Sequence, residues 1–246
     1  MVLDHHLAGM YLYGSLAFDD FSIGQSDLDL LAVTKNELPV QTLQQIQKMI
    51  SARKLPCPGK ALEFSVVTED AVQQASPRPA FEMDLMTGNE TGDEVQFKAT
   101  HSDFVLHFEV TRQAGRRLYG PYPDEFFIPQ EKEIILKALL AEMEWGKEHL
   151  FHSLHDPFGA NAVLNGCRCL MFLYHGAMVS KRAGGEWYLH SDRFYFRNLV
   201  ESALSVRYTD QPGGVDRRST LDFLSTIIAQ LKKVVPEINI RNFQEI

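Results

Sequence analysis

Positive charge is in short supply in this chain. Its 246 residues carry 24 lysines and arginines against 32 aspartates and glutamates, a formal net charge of −8. A surface that grips nucleic acid or anionic lipid without specificity needs a cationic excess. Tight binding of that kind is therefore excluded, while a cationic small molecule is compatible with the balance. Cysteine is also scarce, with Cys57, Cys167 and Cys169 alone. Three thiols build no even disulfide framework, which points to a reducing cytoplasm. Cys167-x-Cys169 lacks the second ligand pair that structural zinc requires. Long apolar runs are missing too. The longest, Cys169 to Tyr174, falls far short of the roughly 20 residues that cross a bilayer, and no signal peptide is visible. There is no internal repeat and no low-complexity tract. What remains is the composition of a globular protein, 45% hydrophobic and 23% charged, long enough for one large or two ordinary domains.

The first half alternates between strand and helix patterns. Gly9 to Leu16, Asp27 to Thr34 and Ala61 to Val67 read as strands, with Phe81 to Met86 as a fourth. Gln41 to Arg53 has helical periodicity through Leu43, Ile46, Met49 and Ile50. Thr87 to Glu94 is turn-like. Ser102 could cap a helix that runs to about Leu118, with Val105, Phe108, Arg112 and Gly115 inward, and Gly120-Pro121 stops it. Pro121 to Pro129 reads as a linker. Helical segments follow at about 130–152, 158–177, 191–206 and 217–235, while Gly184-Gly185 and Pro212-Gly213-Gly214 mark loops. The expectation is an α+β chain: an N-terminal domain over 1–121 with a mixed sheet and flanking helices, then an all-helical bundle domain over 122–246.

The most informative residues are Gly14-Ser15 and, twelve positions on, Ser26-Asp27-Leu28-Asp29. A strand sends residues i and i+2 to one face. Asp27 and Asp29 would then point together, and Leu28, Leu30 and Ala32 into a core. Adjacent carboxylates repel, and a divalent cation with a taste for hard oxygen, magnesium or manganese, relieves that. Gly14-Ser15 supplies a turn and a hydroxyl suited to phosphate. Glu63 sits in an otherwise apolar strand, sharing a face with Ser65 and Val67, where a carboxylate is costly without a use. If the two strands are neighbours, three carboxylates converge. Such a trio can hold two metal ions and take the proton of an attacking hydroxyl. Taken alone, Asp-x-Asp also suits a solvated strand edge, and Glu63 an exposed position on a one-sided sheet.

Together these residues resemble the nucleotidyltransferase superfamily related to DNA polymerase beta. Within it, the chain looks like the aminoglycoside adenylyltransferases that modify streptomycin and spectinomycin. Leu12-Tyr-Gly-Ser15, Ser26-Asp-Leu-Asp-Leu-Leu31, Ala61-Leu-Glu63, Leu118-Tyr-Gly-Pro121 and the helix from Asn161 through Arg168 fall in that family's order. The resemblance implies that Gly14, Ser15 and Ser26 contact a triphosphate, and that Asp27 and Asp29 bind two magnesium ions. It implies that Glu63 is the general base and also a metal contact. It also implies that Arg168 and Lys181, thirteen residues apart, hold the phosphates of ATP, with Tyr208 completing the nucleotide site and the two domains closing on ATP. From the residues alone, Arg168 in an apolar helix wants an anion, phosphate or an internal acid. Lys181 and Arg182 read equally as a solvated pair, and Tyr208 as packing.

Two departures stand out. The first strand begins within about ten residues of the start, so the helix that precedes it in the family is absent or a stub. The segment that helps bind the drug in the family reads here Leu150-Phe-His-Ser-Leu-His-Asp-Pro-Phe158, with Asp156 one surviving acid and Trp145 on the preceding helix. His149, His152 and His155 could be imagined as a metal site with Asp156, although Pro157 ends the helix. Glu142, Glu144 and Glu148 read as a solvated face or a cation-attracting wall, and His5-His6 as exposed. The expected activity is ATP-dependent adenylylation of an aminoglycoside hydroxyl by a cytoplasmic monomer or weak dimer that binds neither nucleic acid nor membrane. The alternatives are nucleotidyl transfer to a protein or other metabolite, and a regulatory nucleotide-binding protein without turnover.

Overall fold

A computed structural model describes residues 3, 5–89, 92–151, 156–191, 195–209 and 213–235. The chain divides into two compact units, Met1–Glu131 and Lys132–Ile246. The first is built on six strands: β1 (Leu7–Leu12), β2 (Leu28–Thr34), β3 (Leu62–Thr68), β4 (Ala80–Asn89), β5 (Gly92–Thr100) and β6 (Arg116–Tyr119). They lie in the order β5-β4-β3-β2-β1-β6. Only β2 and β3 run parallel; the other neighbours are antiparallel, so the sheet is mixed. The parallel pair needs a crossover, and α2 (Val40–Ile50) supplies it.

Alternation decides which way each strand faces. Ala32, Leu62, Phe64, Val66, Met83 and Leu85 form a core with Leu38, Leu43 and Ile46, and Leu28 and Leu30 pack against it. Each large side chain fully buried there contributes about 1.5–3 kcal/mol. The opposite parity of β2 begins with Asp29 and continues into fully buried Leu31 and Val33. One sheet position thus passes from core to open site within two residues of the same strand face.

The first strand ends at Leu12, not at Leu16, and the stretch expected to continue it holds the short helix α1 (Gly14–Ala17). Another short helix, α3 (Glu69–Val72), follows β3. Three further elements of this unit differ from the sequence reading. The helix expected to reach Leu118 is α4 (Asp103–Ala114), and Arg116 to Tyr119 turn back as β6 beside β1. Gly115 permits the turn: a Cβ there would stand 2.4 Å from the Thr111 carbonyl oxygen, so glycine fits this exit from the helix where a larger residue would not. The strand β5 was not foreseen, although Val95, Phe97 and Ala99 alternate with polar residues as an edge strand should. The proline-rich stretch holds a short helix, α5 (Pro123–Phe126). Its end carries Phe127, which meets the Tyr11 ring edge-on at 5.2 Å, and the Tyr11 hydroxyl donates to the Pro121 carbonyl at 3.0 Å.

The second unit contains α6 (Lys132–Glu148), α7 (Ala160–His175), α8 (Lys181–Leu189), α9 (Arg197–Tyr208) and α10 (Arg217–Val234). The apolar α7 packs against α6, α8, α9 and α10, as its sequence led one to expect of a central helix. The element missed was α8, because Gly184-Gly185 reads as a loop. Packing overrides propensity here. A Cβ on Gly185 would lie 2.9 Å from Leu204 and 3.0 Å from Leu164, and one on Gly184 would lie 3.1 Å from the Arg168 backbone nitrogen. The two glycines let α8 approach α7 and α9 closely. Ser180 caps α8 by accepting the Ala183 amide at 3.1 Å, which satisfies one of the donors a helix start leaves open. Among the described residues no helix is long and apolar enough to cross a membrane.

Candidate active site

In the first unit the site grows from the end of β1. After Tyr13 the chain turns through Gly14, with φ of +62°, into the four-residue helix α1 (Gly14–Ala17). A Cβ on Gly14 would stand 1.8 Å from Asp29 Oδ2. Glycine is therefore required twice, for its backbone conformation and for the space the carboxylate fills. The next residue presents a hydroxyl, Ser15 Oγ, that is buried and, among the described residues, has no hydrogen-bond partner. Buried polar atoms are paired as a rule, which makes this one an exception that a ligand could satisfy. Ser26 is differently used: its Oγ accepts the Ser22 amide at 3.1 Å, and its carbonyl accepts from Lys60. It shapes the loop that delivers Asp27, which stands one residue ahead of β2.

Register supplies the third carboxylate. Asp29 of β2 pairs directly with Glu63 of β3, so the two side chains share a face on neighbouring strands, within about 5 Å at their roots. The sequence carried both acids; their adjacency came from the sheet order. Glu63 also brings partners that sequence reading missed. The Tyr13 hydroxyl donates to its Oε1 at 2.8 Å, and His107 of α4 places Nδ1 3.3 Å from that hydroxyl and Nε2 3.7 Å from Oε1. On β4, Asp84 lies on the same face, one step along from Glu63, and accepts from Ser65 Oγ at 2.8 Å. Period-2 counting from Phe81 could have flagged Asp84 as another acid facing the site. His107 carried no signal before α4 was placed on the sheet.

The electrostatics follow from this crowding. Burial raises the Glu63 pKa above its ordinary value, and the Asp84 and Asp27 charges push the same way, against the pull of His107 and the Tyr13 hydrogen bond. Burial, with the Glu63 and Asp29 charges behind it, lifts the Tyr13 hydroxyl well above its usual value, so it stays a neutral donor. A carboxylate made more basic in this way is better matched to accepting a proton near neutral pH.

In the second unit, Asn161, Asn165 and Arg168 recur at helical spacing on α7. Arg168 Nε donates to the Val179 carbonyl at 2.9 Å, and its guanidinium reaches Asn165 Oδ1 at 3.3 Å. Asn165 in turn donates to Glu142 at 2.8 Å. Lys181 opens α8 and donates to Asn161 Oδ1 at 3.1 Å. The two cations predicted thirteen positions apart thus converge on one face of α7, and Lys181 starts a helix where a loop was expected. Tyr208 lies under the Arg182 guanidinium, 3.9 Å from its ring centre. Two acids of the α6 stripe are engaged internally: Glu142 accepts from Asn165, and Glu144 pairs with Lys232 at 2.7 Å. Asp156 accepts the amides of Asn161 and Ala162 at 3.1 and 2.8 Å, and so caps α7. His149 stacks on Trp145 with ring centres 4.6 Å apart, while His152 and His155 lie outside the described residues.

Comparison with known proteins bears on both units. Residues 125–230 match the model of the aminoglycoside adenylyltransferase C-terminal domain. That match spans the greater part of the second unit. The fold is similar to that of the spectinomycin adenyltransferase AAD(9) from Enterococcus faecialis, solved with ATP and spectinomycin. The TM-score is 0.72 at 20% identity, over 94% of each chain. No curated protein matches the chain.

The magnesium implied for such an adenylyltransferase can be tested against these residues. Among the described residues no group of three His, Cys, Asp or Glu side chains forms a ready cage for a metal. Magnesium does not ask for one: it commonly takes one or two carboxylates and completes its shell with water and substrate phosphates. Asp29 held over Gly14, Asp27 two residues before it and a Ser15 hydroxyl without a partner among the described residues suit that mode. The donor set is all oxygen, which favours a hard cation.

Proposed function

We propose that this chain is an ATP-dependent adenylyltransferase acting on a hydroxyl of an aminoglycoside antibiotic, with pyrophosphate as the second product. The observation that carries the reading is the direct pairing of Asp29 with Glu63, with Gly14 leaving the Asp29 carboxylate its space. Asp27 and Asp29 would hold two magnesium ions, and Glu63 would share one of them. Magnesium, when bound, supplies neutralisation of the triphosphate and polarisation of its reacting phosphorus. The rest falls to the chain's own residues. Gly14, Ser15 and Ser26 would contact the triphosphate. Glu63, made basic by burial and by neighbouring acids, would take the proton of the acceptor hydroxyl. Arg168 and Lys181 would contact nucleotide phosphates, with Tyr208 beside them.

In this reading residues 1–121 form the catalytic domain, and 122–246 the helical domain that contributes to nucleotide and acceptor binding. The acceptor is a polycation, which suits an acidic protein. The enzyme would act in the cytoplasm, as a monomer or weak dimer, without nucleic acid or membrane. The test is to combine the protein with ATP, magnesium and a panel of aminoglycosides and to follow pyrophosphate release. Turnover with one or more of them, lost in Glu63→Gln, supports the assignment. Silence across the panel defeats it.

A further inference from the structure

The Glu63 carboxylate is not held symmetrically. Its Oε1 receives the Tyr13 hydroxyl at 2.8 Å and has His107 Nε2 at 3.7 Å. Among the described residues nothing donates a hydrogen bond to Oε2. Tyr13 is 4% exposed. Its ring lies 5.2 Å from that of His107, and the His107 ring lies 5.2 Å from Phe104. The imidazole is thus held between two aromatic neighbours, and the hydroxyl has little freedom.

The donor directions follow. Glu63 must be ionised to accept a proton, and an ionised carboxylate cannot donate. The Tyr13 O–H therefore points at Glu63 Oε1. Having one proton, it can only accept from His107, so the imidazole carries its hydrogen on Nδ1. The result is a directional chain from His107 Nδ1–H to Tyr13 O–H to Glu63 Oε1. Neither of the two links was needed to build the sheet, and the buried hydroxyl would otherwise be a cost.

We infer that Tyr13 and His107 are positioning residues that pin Glu63 by Oε1 and so present Oε2 as the atom that accepts the substrate proton. This rests on the adenylyltransferase reading above. In that step the acceptor hydroxyl oxygen bonds to the α-phosphorus of ATP, its proton passes to Glu63 Oε2, and the bond from the α-phosphorus to the bridging oxygen breaks as pyrophosphate leaves. Tyr13 and His107 touch none of the reacting atoms. Their contribution is orientation, and a displacement of about 1 Å at a reacting group can cost on the order of 100-fold in rate.

The test uses the full-length protein and the variants Tyr13→Phe, His107→Leu and His107→Asn, the last keeping an N–H near the position of Nδ1. Tyr13→Phe is expected to lower kcat by about 10- to 100-fold with the affinity for ATP and the KM for the acceptor changed less than about twofold. His107→Leu is expected to lower it by a smaller factor, and His107→Asn to recover most of that loss. Crystal structures of wild type and Tyr13→Phe give a readout without turnover: Glu63 in one conformer in the first, displaced or split in the second. An unmoved Glu63 in Tyr13→Phe overturns the inference, as does a kcat within twofold of wild type. So does a loss shared equally by kcat, ATP affinity and thermal stability, which would mark general damage. A wild type inert toward every acceptor would reject the adenylyltransferase reading instead, and the Glu63 conformer in the two structures would still decide the positioning role.

Discussion

Gly14→Ala adds one carbon where the structure leaves no room for it. The new Cβ would stand 1.8 Å from Asp29 Oδ2, inside the 3.0 Å that real Cβ atoms respect. The carboxylate must retreat by at least about 1 Å, or the turn must open. Neither is easy, since the Asp29 carbonyl accepts the Tyr13 amide at 3.1 Å and the strand is paired on both sides. The backbone adds a second penalty, because φ of +62° costs an L-residue roughly 1–2 kcal/mol. In a chain of this size that lowers Tm by roughly 2–8 °C. The effect on catalysis should be larger, because a misplacement near 1 Å costs about 100-fold. The assay is kcat/KM for pyrophosphate release with ATP, magnesium and the preferred acceptor, alongside a urea melt. The expected outcome is a folded protein with at least a 100-fold loss. If Gly14→Ala retains kcat/KM within threefold, the reasoning about Gly14 and Asp29 is refuted.

Ser15→Ala removes a buried hydroxyl that has no partner among the described residues, so it should leave stability unchanged or raise it by up to about 1 kcal/mol while weakening ATP binding about tenfold; calorimetry and a melt report both. Glu63→Gln should lower kcat by about 10²–10⁴-fold and flatten a pH effect whose sign follows from linkage. Folding raises the Glu63 pKa, so the native state holds this proton more tightly than the unfolded chain. Its contribution is fully present below the unfolded value and is lost as pH rises through the folded one. In wild type, turnover should climb over that same window as the carboxylate ionises. Gly185→Leu should destabilise the second unit by about 1–3 kcal/mol through overpacking against Leu164 and Leu204. Asp156→Ala should cost about 1 kcal/mol by uncapping α7, measurable by urea denaturation.

The candidate site was legible where local pattern carries the information. Glycine before a hydroxyl, two aspartates at strand spacing and a lone glutamate in an apolar strand can each be read without a fold. What joins them is non-local. Asp29 meets Glu63 because β2 and β3 are parallel neighbours, and sheet order is not written in either strand. Tyr13 looks like one more strand aromatic until its hydroxyl is found on Glu63, and His107 looks like one polar residue on a half-buried helix. The errors share a cause. Gly184-Gly185 was read for its backbone freedom when its role is close approach between helices. The helical period was carried past Gly115, where glycine lets the chain pass close to the Thr111 carbonyl and turn back as β6. Asp156 was read as a surviving acid of the drug-binding segment, and the geometry at the start of α7 reveals that backbone amides engage it.

Mixing the protein with ATP, magnesium and each aminoglycoside of a broad panel, and assaying pyrophosphate together with the mass of the antibiotic, tests the central claim most directly. The account predicts stoichiometric pyrophosphate and an antibiotic carrying one adenylyl group, both abolished by chelating magnesium and by Glu63→Gln. Binding of ATP without a modified acceptor, or modification that survives Glu63→Gln, would contradict it.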